Sequence, residues 1–129
     1  MKRFVYITLL TLVSLNSCKN DDDRQNNCGC SAETIATVQN LEGTLYPIDS
    51  QNENTPDANY AIVWNNEEMP GWQTSYYVCN DALINDLGEI PETGKEVIFS
   101  GNTKELCEEI ITIPEHFHYQ IDLTQISLP

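Results

Sequence analysis

Five cysteines carry the most evident covalent chemistry of this chain: Cys18, Cys28, Cys30, Cys79 and Cys107. Zinc binding is disfavoured because Cys28-Gly29-Cys30 lacks the usual spacing of zinc ligands. A redox active site is disfavoured because the sequence has no C-x-x-C motif. If Cys18 has a separate role, an even number remains, and outside the cytoplasm this predicts two disulfide bonds.

The pairing of the four thiols has two readings. A bond between Cys28 and Cys30 would close a very short, strained ring. We therefore expect each of them to reach the folded domain and to bond Cys79 and Cys107, in either order. The alternative is a Cys79–Cys107 bond, with Cys28 and Cys30 free or bonded to each other.

Two histidines and an acidic neighbour are the candidate metal ligands. His116 and His118 lie on one face if the segment is extended, and Glu115 is next to them. No third ligand at a diagnostic spacing accompanies them. We expect two exposed, solvated side chains leading into the last strand, and predict no metal and no cofactor.

No arrangement of residues typical of catalysis is present. The sequence has no G-x-S-x-G motif and no glycine-rich phosphate loop, and no Ser/His/Asp arrangement stands out. Carboxylate pairs such as Glu67-Glu68 and Glu108-Glu109 are common in any chain this acidic. The sequence therefore predicts a protein that is not an enzyme.

Four aromatic residues are the candidate ligand-binding set: Trp64, Trp72, Tyr76 and Tyr77. One of the two tyrosines must face outward in a strand because side chains alternate. Trp72 lies in a segment rich in Asn, Glu and Gly. Exposed rings beside amides and carboxylates suit sugar binding, whereas the alternative is that these rings fill a small core.

The N-terminus has the order of an export signal. Lys2-Arg3 precede an apolar run of twelve residues, Phe4 to Leu15. This run is shorter than the roughly 20 residues that a spanning helix needs. A signal peptide is therefore favoured over a permanent transmembrane anchor.

The end of this signal resembles the lipobox of bacterial lipoproteins. Leu15 stands three residues before Cys18 and the small Ser17 directly before it, while Asn16 replaces the usual small or apolar residue. The resemblance implies lipidation of Cys18, for example with palmitate, after removal of residues 1–17. An ordinary cleaved signal peptide is the alternative.

The residues after Cys18 resemble a second known signal. Lys19 followed by Asp21-Asp22-Asp23 is similar to the short acidic export tag of surface lipoproteins in the Bacteroidota. This resemblance implies an outer-membrane lipoprotein exposed at the cell surface. We predict a signal peptide at 1–17, a lipidated cysteine with a flexible acidic tether at 18–32, and a small β-domain at 33–129.

Charge limits the partners. The chain has 6 cationic and 20 acidic residues, a net charge of −14, and loss of Lys2 and Arg3 with the signal makes this −16. Such a surface repels nucleic-acid phosphates and anionic lipid head groups. We therefore exclude nucleic acid and expect membrane contact through the lipid on Cys18.

The elements that must position these residues are mainly strands. The pattern predicts a long strand over 34–46 with a bend at Gly43, strands at 60–64 and 75–79, and a short helix with Leu83, Ile84 and Leu87 on one side. Strands at 96–100 and 110–113 and a last strand over 118–128, with a bulge near Thr124-Gln125, complete the order.

This order of elements resembles an OB-fold, a five-stranded barrel with a helix between its third and fourth strands. The resemblance covers residues 34–128 and implies a binding surface of the kind that takes oligosaccharides. A small open β-sandwich or meander is the alternative. The sequence thus predicts a lipid-anchored envelope module that binds a protein or glycan partner, or alternatively a structural or accessory subunit of an envelope assembly.

Overall fold

A computed structural model of the protein describes residues 27–48, 56–108, 110 and 114–129. The predicted signal peptide, Cys18 and the acidic tag lie outside these residues, as does the predicted strand beyond residue 110. The described elements, in chain order, are β1 (Ala36–Pro47), β2 (Tyr60–Asn65), β3 (Gln73–Val78), α1 (Ala82–Asn85), β4 (Lys95–Lys104) and β5 (His116–Ser127).

The five strands form a closed barrel in the order β1-β2-β3-β5-β4, with β4 returning to β1. All neighbouring strands are antiparallel except β3 and β5, which are parallel. The predicted OB-like barrel is therefore confirmed. The open sandwich or meander is wrong, because pairing of β4 with β1 leaves the sheet without an edge.

The core fills the barrel and one of its ends. Leu45, Ile62, Phe99 and Ile121 are fully buried at its centre. The short helix α1 adds the buried Ile84, as its apolar side predicts, and Leu83 and Leu87 pack against the same core. Because α1 follows β3, it covers the end of the barrel at which β3 finishes.

The bend in β1 lies earlier than predicted. Gly43 pairs regularly with Val97, whereas the register shifts between Val38 and Leu41. Asn40 in this bulge has a φ of 51°. Gly43 instead allows close packing, because a Cβ there would lie 2.8 Å from Cγ2 of Ile62.

The second predicted bulge is confirmed. Ser100 pairs with Gln125 and Gly101 with Leu123, so Thr124 is the extra residue of β5. This extra residue corrects the change of phase in the alternation. Leu123 and Ile126 consequently both pack against the core.

Two disulfides hold the N-terminal segment against the barrel. Cys28 bonds Cys107 and Cys30 bonds Cys79, with Cα–Cα distances of 4.9 and 5.6 Å. This confirms the favoured pairing and sets its order. Backbone N of Gly29 donates to the carbonyl of Glu105 at 2.6 Å, and Ala32 is buried. Cys28, Gly29 and Ala32, which lie in the segment that the sequence assigns to the tether, are therefore held against the barrel.

Candidate functional site

Two aromatic residues lie in one row at the barrel end opposite α1. Trp64 at the end of β2 pairs with Thr74 at the start of β3, and Thr74 pairs with Phe117 of β5. Thr74 is buried and small, whereas Trp64 is half-buried and packs against the core. Strand spacing places Trp64 and Phe117 about 10 Å apart between their Cα atoms.

A third ring joins this row from the β2–β3 turn. Trp72 stacks on Phe117 with ring centroids 5.4 Å apart and an interplanar angle of 28°. The turn before it is tight, because N of Trp72 donates to the carbonyl of Met69 at 3.0 Å and Gly71 has a φ of 90°. Pro70 and Gly71 are the residues that such a turn favours. We call Trp64, Trp72 and Phe117 the aromatic end of the barrel.

A groove of about 550 Å³ opens beside Trp64, between the β1 bulge and the β2–β3 turn. Leu41 and Trp64 form its apolar part. Its polar part consists of three amides and three carboxylates, from Asn40, Glu42, Asn65, Asn66, Glu67 and Glu68. Since no cationic side chain lines it, the groove combines one aromatic surface with a dense set of hydrogen-bonding groups.

The two tyrosines of the predicted ligand-binding set do not offer open surfaces. Tyr76 is 4% exposed and belongs to the core, where burial, followed by the charge of Tyr119, raises its pKa to about 12. Tyr77 faces out of the barrel, as alternation requires, but Ala58 and Ala61 cover it and only 9% is exposed. Burial also raises the pKa of Tyr77. Only the two tryptophans remain as candidates.

The two histidines lie on the outward face of β5 and are less exposed than the sequence predicts. Both are half-buried, with ring centroids 4.4 Å apart. Nε2 of His116 lies 2.9 Å from the hydroxyl of Ser75, and Nδ1 of His118 lies 3.0 Å from the hydroxyl of Tyr77. In the parallel pairing of β3 with β5, Gln73 lies opposite His116 and Ser75 opposite His118, so each histidine bonds the residue two positions further along β3.

The surroundings of the two histidines limit their use as a catalytic base or as metal ligands. Burial, followed by the charge of His116, lowers the pKa of His118, whose Nε2 is buried without a hydrogen-bond partner. The Ser75–His116 contact has the distance of a nucleophile and its base, but Ser75 is only 5% exposed. Among the residues that the structure describes, no group of three or more His, Cys, Asp or Glu side chains could hold a metal ion.

Charge is distributed unevenly around these sites. The only cations among the described residues are Lys95 and Lys104. Nζ of Lys95 donates to the carbonyl of Leu87 at 2.7 Å, and Nζ of Lys104 donates to that of Cys30 at 2.6 Å. Neither lines the groove, so the aromatic end lies in a field of negative charge.

Sequence reasoning missed Phe117 and the polar lining of the groove. Phe117 is in phase with Tyr119, which faces the core, and this alternation is the signal that could have found it. No local sequence pattern indicated Asn40 as a site residue. Its position in the groove depends on the β1 bulge, which the sequence predicts at Gly43 instead. Glu67 and Glu68 were noted only as a carboxylate pair.

Comparison with known proteins adds no assignment. No family model matches the sequence, and no curated protein matches it. Within the described part of the chain, no helix has both the length and the apolar character needed to cross a membrane.

Proposed function

We propose that this protein is a lipid-anchored, non-catalytic binding module of the cell envelope that engages a protein or glycan partner through its aromatic end. The observation that carries this proposal is the gathering of Trp64, Trp72 and Phe117 at the barrel end that α1 leaves uncovered. Phe117 is 39% exposed and Met69, in the adjoining turn, is 44% exposed. Rings that are partly exposed and clustered are typical of recognition surfaces.

The use of the cysteines supports the proposed anchor. Four of the five form two disulfides, which leaves Cys18 for another role. Cys18 follows an export signal whose end resembles a lipobox. Disulfides also suit a compartment outside the cytoplasm. We propose that the protein lies on the outer membrane, exposed at the surface, with the segment after Cys18 as its tether.

The proposal that the protein is not catalytic is supported by how little of its hydroxyl–imidazole pair a substrate could reach. Among the described residues, Ser75 and His116 have the distance of a nucleophile and its base, but Ser75 is only 5% exposed. The open groove contains amides and carboxylates without a nucleophile next to a base. Binding is therefore the better use of this surface.

An accessory subunit of an envelope assembly is the second candidate. The exposed apolar side chains of Met69 and Phe117, next to Trp72, favour contact with another protein. In this case the aromatic end would be buried permanently in an assembly, and the protein would copurify with fixed stoichiometry. A binding module would instead bind reversibly.

The anchor is tested with Cys18→Ala and the matched control Ser17→Ala, which keeps a small residue before the cysteine. Cys18→Ala should abolish palmitate labelling and move the protein from the detergent phase to the aqueous phase, whereas Ser17→Ala should change neither. Unchanged partitioning of Cys18→Ala would refute the anchor.

The binding surface is tested with the full-length Cys18→Ala chain added to native envelopes. Saturable binding should weaken at least tenfold when Trp72→Ala and Phe117→Ala are introduced together. Leu128→Ala removes another exposed apolar side chain, 49% exposed, and should leave binding unchanged. Equal binding by all three proteins would refute the aromatic end as the site.

A further inference from the structure

The groove beside Trp64 has the composition of a site for hydroxyl-rich ligands. Its three amides both donate and accept hydrogen bonds, and its three carboxylates accept them. Within the described residues, the side chains of Asn40, Asn65 and Glu67 make no hydrogen bond or ion pair with the protein. They are therefore open to a ligand.

The bulge in β1 directs Asn40 to this groove. Its backbone, at a φ of 51°, is in a conformation that residues other than glycine adopt rarely. N of Asn40 donates to the hydroxyl of Ser100 at 2.9 Å, which holds the bulge. Bulges that re-aim a side chain are common next to functional sites.

The opposite wall is held by the β2–β3 turn. The side-chain oxygen of Asn66 accepts from N of Glu68 at 3.0 Å and from N of Met69 at 3.3 Å. N of Asn66 also donates to the carbonyl of Trp72 at 2.9 Å. These bonds fix the segment that carries Glu67 and Glu68 before any ligand arrives, which lowers the entropic cost of binding.

We propose that this groove binds an uncharged oligosaccharide, with one sugar ring stacked on Trp64 and its hydroxyls bonded to Asn40, Asn65 and the Glu67 carboxylate. This inference rests on the proposed function and names its ligand class. The carboxylates repel sugars that carry carboxylate, sulfate or phosphate groups, because no described cation lies in the groove to neutralise them. Acidic glycans are therefore rejected.

A basic peptide is the competing ligand for an acidic groove. Peptide anchors need a desolvated apolar pocket, whereas this groove offers only Trp64 and Leu41 between polar walls. A peptide held mainly by charge would lose affinity as salt is added, because exposed charges are screened. Binding of a neutral sugar would change little with salt.

The experiment uses the full-length Cys18→Ala chain and, to separate the two tryptophans, the same chain with Trp72→Phe. Since the chain has two tryptophans, this leaves Trp64 as the only indole. Titration with neutral oligosaccharides should change its fluorescence, with an affinity nearly independent of salt. Uronic-acid and sulfated oligosaccharides should give no saturable signal. Asn40→Ala and Glu67→Gln should each weaken binding of the neutral sugar at least fivefold, whereas Glu92→Gln, outside the groove, should not.

The outcomes separate this inference from the function on which it rests. If envelopes are bound but neutral oligosaccharides are not, the glycan assignment is overturned and the binding module stands. A response only to a lysine-rich peptide, lost at high salt, also overturns it. Equal affinities of the Asn40→Ala, Glu67→Gln and Glu92→Gln proteins would place the sugar elsewhere. Failure to bind envelopes at all would refute the proposed function itself.

Discussion

The indole of Trp72 stacks on the phenyl ring of Phe117, with ring centroids 5.4 Å apart. The two residues belong to distant parts of the chain, the β2–β3 turn and the start of β5. They meet because N of Gln73 donates to the carbonyl of Glu115 and β3 then runs parallel to β5. The stack therefore joins the exposed turn to the barrel wall.

We predict that this stack stabilises the barrel measurably. In a double-mutant cycle, Trp72→Ala and Phe117→Ala should show a coupling of about 0.5–1.5 kcal/mol in the free energy of unfolding. Urea denaturation of the four proteins gives this value. Trp72→Ala combined with Leu128→Ala, which lacks the contact, should be additive. A coupling of zero for Trp72 and Phe117 would contradict the stacked geometry.

We predict that Gly43→Ala destabilises the barrel. The new Cβ would lie 2.8 Å from Cγ2 of Ile62 and 3.1 Å from the ring of Phe99, so these buried side chains must move. Overpacking of this kind costs about 1–3 kcal/mol. The measurement is the midpoint of urea unfolding at constant slope. Ala36→Val, at an exposed position of the same strand, should change stability by less than about 0.5 kcal/mol.

We predict that paired cysteine variants reveal the order of the disulfides. In the Cys18→Ala background, Cys28→Ser with Cys107→Ser leaves the Cys30–Cys79 bond intact, so thiol titration should find no free thiol. Cys28→Ser with Cys79→Ser leaves two cysteines that are not partners, so two free thiols should appear. The opposite pairing order would exchange these two results.

The Cys30–Cys79 bond should also contribute to stability. It closes a loop of 49 residues, and loss of a bond of this kind costs about 2–4 kcal/mol. Cys30→Ser with Cys79→Ser should therefore unfold at lower urea concentration than the parent. A parent and variant of equal stability would show that the bond adds nothing to the fold.

We predict that stability falls as the pH drops below 6.5. Burial and the neighbouring His116 lower the pKa of His118 in the folded protein below its ordinary 6.5. Below that pH the unfolded chain binds more protons than the folded one, so acid favours unfolding. Urea unfolding between pH 6.5 and about 5, above the range where ordinary carboxyls titrate, measures the effect. His118→Gln should make the decline shallower, and an NMR titration midpoint of His118 at or above 6.5 would refute the lowered pKa.

Much of the fold was predictable because its signals are local. The apolar and aromatic runs at 60–64 and 75–79 placed β2 and β3 within two residues of their true bounds. Leu83, Ile84 and Leu87 placed α1 on the core, and the change of phase after Leu123 located the bulge at Thr124. Each of these signals depends only on neighbouring residues.

The bend of β1 was predicted at the wrong residue, because local sequence patterns do not locate it. A glycine inside a strand permits either a bend or a close approach of other side chains. Only the positions of Ile62 and Phe99, contributed by β2 and β4, show that Gly43 serves close packing. The bulge instead falls near Asn40, where the register against β4 shifts.

The histidines show the same limit for the candidate sites. Alternation alone predicted that His116 and His118 share a face, and it also predicted that one of Tyr76 and Tyr77 faces outward. Whether one face of a strand is exposed to solvent depends on which other parts of the chain pack against it. The parallel pairing with β3 gives the histidines Ser75 and Tyr77 as neighbours, and other parts of the chain cover the outward Tyr77.

The sequence by itself determined the strongly negative charge, the four cysteines available for bridging, and the order of strands and helix. The tertiary structure alone decided the order of the disulfides, the closure of the barrel, and the meeting of Trp64, Trp72 and Phe117 beside a polar groove. The physical reason is the separation along the chain over which each kind of interaction acts. Alternation and turn chemistry act over a few residues, whereas these contacts join segments that become neighbours only when the sheet closes.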